Sequence, residues 1–197
     1  MTDTPRATRG HGLLEGFLAR QRMTMADRLI PDAARAGRVL DIGCGSFPLF
    51  LTQTQFAEKF GVDRTSGRGG EGIALLDHDV SQDSPLPFED AYFDVVTMLA
   101  VFEHLDRPAM TRLASEIIRV LRPGGCYVLT TPAAWTNPIL QVLSRVGLVS
   151  AEEIDEHEPL YGLPEISAIL SAAGFIGGRI ESGYFELGLN TWVRAVK

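Results

Sequence analysis

The hydrophobic pattern changes character near residue 38. Before it, Leu13, Leu14, Phe17, Leu18, Met25, Leu29 and Ile30 fall mostly at helical spacing, and Pro31 closes the run. This predicts an amphipathic N-terminal helix over Leu13 to Ile30, with a second short helix over "DAARAG" ended by Gly37. After it come short, continuous apolar runs: "RVLDIG", "EKFGVD", "GIALLDHDV", "FDVVTMLAV" and "GCYVLTTP". Continuous rather than alternating apolarity predicts strands covered on both faces, as in a parallel sheet. Between the fourth and fifth runs, Met110, Leu113, Ile117, Val120 and Leu121 make one helical face. Asp106 is placed to cap that helix and Pro108 to open it, which completes a strand–helix–strand unit.

The last third is less regular. "NPILQVLSRVGL" predicts a helix and "EEIDEHEPLYGLPE" a polar connecting loop. "PEISAILSAAG" predicts a helix with Pro164 near its start and Gly174 as its C-terminal cap. The closing "GGRIESGYFELGLNTWVRAVK" reads as two strands, the final one alternating enough for an antiparallel edge. The expected fold is α/β, a Rossmann-like doubly wound and mostly parallel sheet with an antiparallel C-terminal edge strand. One domain is expected: a helical cap over 1–37, a core over 38–132, and a remainder over 133–197.

Composition narrows the partners. The 197 residues carry a net charge of −7. Residues 1–38 hold seven arginines against four acids, so the rest of the chain is strongly acidic. An acidic body argues against a nucleic-acid partner and suits a cationic ligand. No run reaches the roughly 18 apolar residues that span a bilayer, so no membrane partner is expected. The start has no secretory pattern, and Cys44 and Cys126 form no metal-spaced cluster. Reduced thiols in a cytoplasmic protein, with no metal site, are the simplest expectation.

The candidate chemistry sits at the ends of the apolar runs, where open α/β sheets bind ligands. The first run ends at Asp41, with Gly43 and Gly45 beyond it; the second ends at Asp63, the third at Asp79, and the fourth leads into Glu103-His104. The third glycine of a dinucleotide fingerprint is missing, since Ser46-Phe47-Pro48 follows, and this opposes a nicotinamide enzyme. Asp63 follows Asp41 by about 20 residues, the spacing that delivers a carboxylate to vicinal ribose hydroxyls. An adenosine-type ligand is implied, without a choice among such ligands. Cys44 reads as a small packing residue rather than a nucleophile.

"VLDIGCGS", "FGVD", "LDHDV", "LPFEDAYFDVVTMLAVFEHL" and "EIIRVLRPGGCYVLTTP" together resemble the class I S-adenosylmethionine-dependent methyltransferases, most of all the small "type 11" group acting on small molecules. The resemblance covers residues 38–132 well and continues more weakly through "LPEISAILSAAGF" and the closing strand. It implies that Asp41, Ile42 and the Gly43–Cys44–Gly45 loop hold the methionine end of the cofactor. It also places Asp63 at the ribose with Arg64 beside it, Asp79 and Val80 at the adenine, and Ala100 and Val101 along the methionine moiety. His104 is the first candidate for a general base, with His157 and Tyr161 behind it. The acceptor is expected to be a small molecule. An anionic one is open, with Arg20 and Arg22 as candidate contacts, and the protein is expected to be a monomer or homodimer. A non-catalytic cofactor-binding protein is the main alternative. A nucleic-acid methyltransferase is opposed by "LAVFEHL", which stands where an Asn/Asp-Pro-Pro-aromatic tetrad would be. Two departures from the family are visible. Little room follows Gly45 for a helix, and "RTSGRGGEGI" replaces the helix usual between the second and third strands.

Overall fold

The structure, a computed structural model, describes residues 15–65, 67, 70–136 and 161–197. Its centre is a seven-stranded sheet made of β1 (Arg38–Ile42), β2 (Glu58–Asp63), β3 (Ile73–Asp77), β4 (Phe93–Leu99), β5 (Leu121–Pro132), β6 (Ile180–Phe185) and β7 (Asn190–Val196). The strand order is β3-β2-β1-β4-β5-β7-β6. The first five strands run parallel, and β7 and β6 add in antiparallel fashion. The order reverses between β1 and β4, so their carboxyl ends diverge into a crevice.

Helices cover both faces. One face packs on α1 (Glu15–Leu29) and α2 (Leu49–Gln53), with Ala26, Ile30, Phe50, Leu51, Val95 and Val128 meeting there. The other packs on α3 (Arg107–Val120) and α4 (Leu163–Ala173), through Met110, Leu113, Ile117, Ile166, Leu170 and Tyr127. α3 starts as its sequence predicts: Asp106 accepts the Ala109 N–H at 2.7 Å, and Pro108 sits in the first turn. α4 ends at Gly174, whose φ of 112° lets its N–H reach back to Leu170 and Ser171.

Three differences from the expected pattern have local causes. "DAARA" winds as a 3-10 turn over Asp32–Ala36 with no buried residue to hold a longer helix. The final strand is not the edge. β7 alternates buried and half-buried residues and lies between β5 and β6, while β6 is mostly exposed and forms the border. β5 also starts earlier than expected, at Leu121, and reaches regular pairing with β4 after a register shift across "RPGG". The short helix after the glycine loop is as anticipated, five residues long, and no helix occurs among the described residues between β2 and β3. The expected helix over "NPILQVLSRVGL" and most of the following loop lie outside the described residues.

Candidate active site

The loop after β1 is held from both sides. Gly43 and Cys44 donate N–H bonds of 2.8 and 3.2 Å to the Val62 carbonyl, so the loop hangs on the end of β2. Gly43 and Gly45 take φ values of 71° and 70°, a region side chains avoid. A Cβ on Gly43 would stand 2.2 Å from Cγ2 of Val101, so the chain after β4 is wedged against this loop. Above Gly45 the space is open: a Cβ there would meet nothing within 4 Å. The Cys44 side chain turns away, buried over β2 at 2.7 Å from where a Gly61 Cβ would be, which matches its expected packing role.

Two acids face this loop. Asp41 is 4 % exposed and accepts a 2.7 Å hydrogen bond from Thr97 Oγ1 on β4. Burial pushes its carboxyl up to about 7, against the pull of Thr97, and the nearby Asp63 charge pushes the same way. Asp63 accepts the Gly45 N–H through Oδ2 at 3.0 Å and the Thr65 N–H through Oδ1 at 3.2 Å.

Asp79 lies two residues past β3, whose neighbour in the sheet is β2. Its Oδ1 accepts from the Ser81 N–H and hydroxyl at 3.0 and 2.7 Å. The Ser81 hydroxyl is the main cause that holds its carboxyl below the ordinary range, with a smaller contribution from the Arg64 guanidinium. Next to it, His78 and Val80 border a cleft of about 350 Å³ between the 82–86 loop and α3. That loop is clamped by Arg119, which donates to the Leu86 and Phe88 carbonyls at 3.0 and 2.8 Å and to Glu116 and Asp90.

Past β4 the chain turns sharply. Ala100 has a φ of 56° and donates to the Thr130 carbonyl at 2.9 Å; Val101 then leads into a 3-10 turn over Phe102–His104. His104 is half-buried here, and Tyr161 sets its ring edge against Phe102 at 6.0 Å. His157 lies outside the described residues. Asp41, Asp63, Asp79 and Ala100–Val101 thus gather at one end of four neighbouring strands, with His104 and Tyr161 on the β4–β5 side. Thr97, the lone hydroxyl in a buried apolar strand, was not singled out in the sequence, whereas Glu103, named there beside His104, is a buried acid that accepts from Thr131. The polar interruption of "FDVVTML" is the signal for Thr97.

Residues 14–176 match the family described as a methyltransferase domain. The chain belongs to that family. It carries that family's methyltransferase domain. It is 32% identical over 173 residues to the ubiquinone/menaquinone biosynthesis C-methyltransferase UbiE of Xylella fastidiosa strain M12, covering 70% of this chain and 65% of the relative. The chain therefore spans slightly less than two thirds of that relative's length. Among solved structures, an S-adenosylmethionine-dependent methyltransferase of Archaeoglobus fulgidus superposes with a TM-score of 0.69 at 19% identity, over 90% of this chain and 94% of the other. The phosphoethanolamine N-methyltransferase 2 of Haemonchus contortus, solved in complex with S-adenosylmethionine, gives 0.66 at 18% identity, over 90% and 52%. The chain's own residues fit that cofactor: open space above Gly45, a buried carboxyl at Asp41, and a second carboxyl at Asp63 that anchors the Gly45 N–H. Among its described residues no cluster of His, Cys, Asp and Glu could hold a metal, and no helix is long and apolar enough to cross a membrane.

Proposed function

We propose that this methyltransferase acts on a small-molecule acceptor brought to the β4–β5 side of the crevice, with the cofactor lying across the ends of β3, β2, β1 and β4. The observation that carries the reading is the glycine loop, fixed at once by Val62, Asp63 and Val101, with a buried acid beneath it. Asp41, Ile42 and the Gly43–Gly45 loop would take the methionine end. Asp63 would take the ribose hydroxyls, and Asp79 and Val80 the adenine edge, with Arg64 over it. The cofactor supplies a methyl group on a sulfonium, ready for in-line displacement.

The protein's part is positioning and charge. Val101 and Ala100 fix the wall beside the methyl, and the strained φ of Ala100 is what lets the chain turn there. Holding the nucleophile close and excluding water supplies most of the rate. His104 and Tyr161, and His157 further along, are the candidates for handling the acceptor. UbiE is named for a carbon acceptor and the Haemonchus enzyme for a nitrogen acceptor, so the methylated atom is not carried over from either. The acidic body supports a small acceptor over nucleic acid. The free thiols of Cys44 and Cys126 support a cytoplasmic setting.

The test is a metabolite extract incubated with methyl-labelled cofactor and the purified chain. Label should appear in a small-molecule fraction. Label confined to nucleic acid or protein would contradict the reading, and absence of any transfer would favour a cofactor-binding protein without catalysis.

A further inference from the structure

Among the described residues, four of the five large apolar side chains that stand exposed lie at one border of the sheet. Ile176, Tyr184 and Leu187 are 61, 57 and 100 % exposed on and beside β6. Trp135 sits at the same corner, its Cζ2 3.5 Å from where a Gly188 Cβ would stand. β6 pairs with β7, and among the described residues no strand pairs with its other edge. A strand edge of this kind templates further pairing unless lysine, proline, a bulge or a covering segment blunts it. β6 reads "IESGYF": it holds no lysine or proline, and its register against β7 is unbroken. Its one charge, Glu181, is paired with Arg194 at 3.2 Å. Clustered apolar side chains on such an edge mark an interface.

The strand is complementary to itself. A second copy related by a two-fold axis normal to the sheet pairs antiparallel with β6, and residues set opposite one another then share a face. The registers differ by where the axis falls. Centred on Glu181, two like charges oppose each other, which is unfavourable. Centred on Gly183, Glu181 faces Phe185 and Ser182 faces Tyr184, so polar meets apolar throughout. Centred on Ser182, Ile180 faces Tyr184 of the second copy, and symmetry repeats the pair. Glu181 then faces Gly183, which has no side chain to oppose it. The same register brings Leu187 of one copy level with Ile176 and Gly177 of the other. The two most exposed of these apolar side chains therefore meet at both ends of the strand pair.

We propose that β6 is the docking edge for a second copy of this chain, paired antiparallel about Ser182, so that two seven-stranded sheets join into one. Trp192 braces the strand for this. A Cβ on Gly183 would stand 2.9 Å from the Trp192 indole, so the ring lies over the glycine and supplies the apolar cover it lacks. The contact also reaches the end of the sheet where the glycine loop lies. The Ala133 N–H bonds to the Leu189 carbonyl at 2.9 Å, which seats the turn carrying Leu187 on the carboxyl end of β5.

Sedimentation equilibrium of the full chain at tens of micromolar should give twice the 21.5 kDa of one copy. Tyr184→Lys/Leu187→Asp should sediment as one copy and keep the wild-type far-ultraviolet spectrum. Both positions are exposed, and aspartate tolerates the φ of 57° at Leu187. Ser182→Cys reads the register and decides the matter if the double variant does not fold. Position 182 opposes itself across the axis and position 181 does not, and the native Cys44 and Cys126 are buried. In oxidising buffer Ser182→Cys should therefore form a covalent dimer at least tenfold faster than Glu181→Cys. A wild-type chain that sediments as one copy, a dimer that the folded double variant leaves intact, or equal crosslinking of the two cysteine variants would overturn the proposal.

Discussion

Asp41 sets folding against binding, and Asp41→Asn separates the two. In the unfolded chain its carboxyl releases its proton near the ordinary 3.8, while in the folded protein it holds the proton up to about 7. Between those values the native state binds a proton that the unfolded state has lost. Stability therefore falls as pH rises through this window, and the loss is complete above it. About 3 pH units at about 1.4 kcal/mol each give a penalty of about 4 kcal/mol at pH 8, as an upper bound. Asparagine cannot ionise, yet its carbonyl oxygen can still accept the Thr97 hydroxyl. The variant should match wild type at pH 4 and exceed it by up to about 4 kcal/mol at pH 8. Urea unfolding at pH 4, 5, 6, 7 and 8 measures the difference and cancels groups that titrate alike in both proteins. If Asp41 takes the methionine end as proposed, the same variant should bind S-adenosylhomocysteine more weakly at pH 8, having lost the charge opposite the ligand's ammonium. Parallel stability curves, with no gap that opens between pH 4 and 7, would refute the reasoning.

The other predictions concern the frame around the site. Gly43→Ala should cost about 1–3 kcal/mol and abolish cofactor binding, because a side chain is strained at its φ of 71° and collides with Val101. Thermal unfolding and calorimetry check this, and Gly43→Ala/Val101→Ala should recover part of the loss by removing the collision while leaving the backbone strain. Arg119→Ala should destabilise by about 2–3 kcal/mol, since two carbonyls and two carboxylates lose a shared donor, and it should weaken binding on the adenine side. Denaturant titration and ligand affinity measure both effects, and a change under about 0.5 kcal/mol would show that the 82–90 loop stands without the clamp. His104→Ala should leave S-adenosylhomocysteine affinity within twofold. If His104 is the base, transfer to the acceptor should fall and lose its pH dependence between 6 and 9; undiminished transfer across that range would remove it from that role.

The sheet was readable because its strands are covered on both sides. Runs such as "FDVVTML" need buried neighbours above and below, and that requirement alone implies crossover helices. Asp41 and Asp63 were readable for a related reason, since each is the first polar residue after such a run. The order of the last two strands was not readable. β6 and β7 are both short, and which one borders solvent depends on pairing with β5 rather than on local pattern. Glu103 was visible beside His104, but its burial was not. Its neighbours in sequence place it in a turn, and the Thr131 hydroxyl that it accepts from lies 28 residues later. The Asp41–Thr97 contact spans 56 residues and was equally out of reach of any local pattern. The stretch "RTSGRGGEG" could be read only as the absence of a helix. In the fold, Gly67 lies so close to the Ser46 carbonyl that a Cβ would stand 2.0 Å away.

The central claim is that Asp63, anchored by the Gly45 and Thr65 N–H groups, holds the ribose of S-adenosylmethionine. Titration calorimetry of S-adenosylhomocysteine into wild type and Asp63→Ala tests it most directly, with NAD as the competing ligand and unfolding curves as the control. The account predicts one site in wild type, a loss of at least tenfold in Asp63→Ala, and no binding of NAD. Saturable binding of NAD, or an affinity for S-adenosylhomocysteine that Asp63→Ala leaves unchanged, would contradict it.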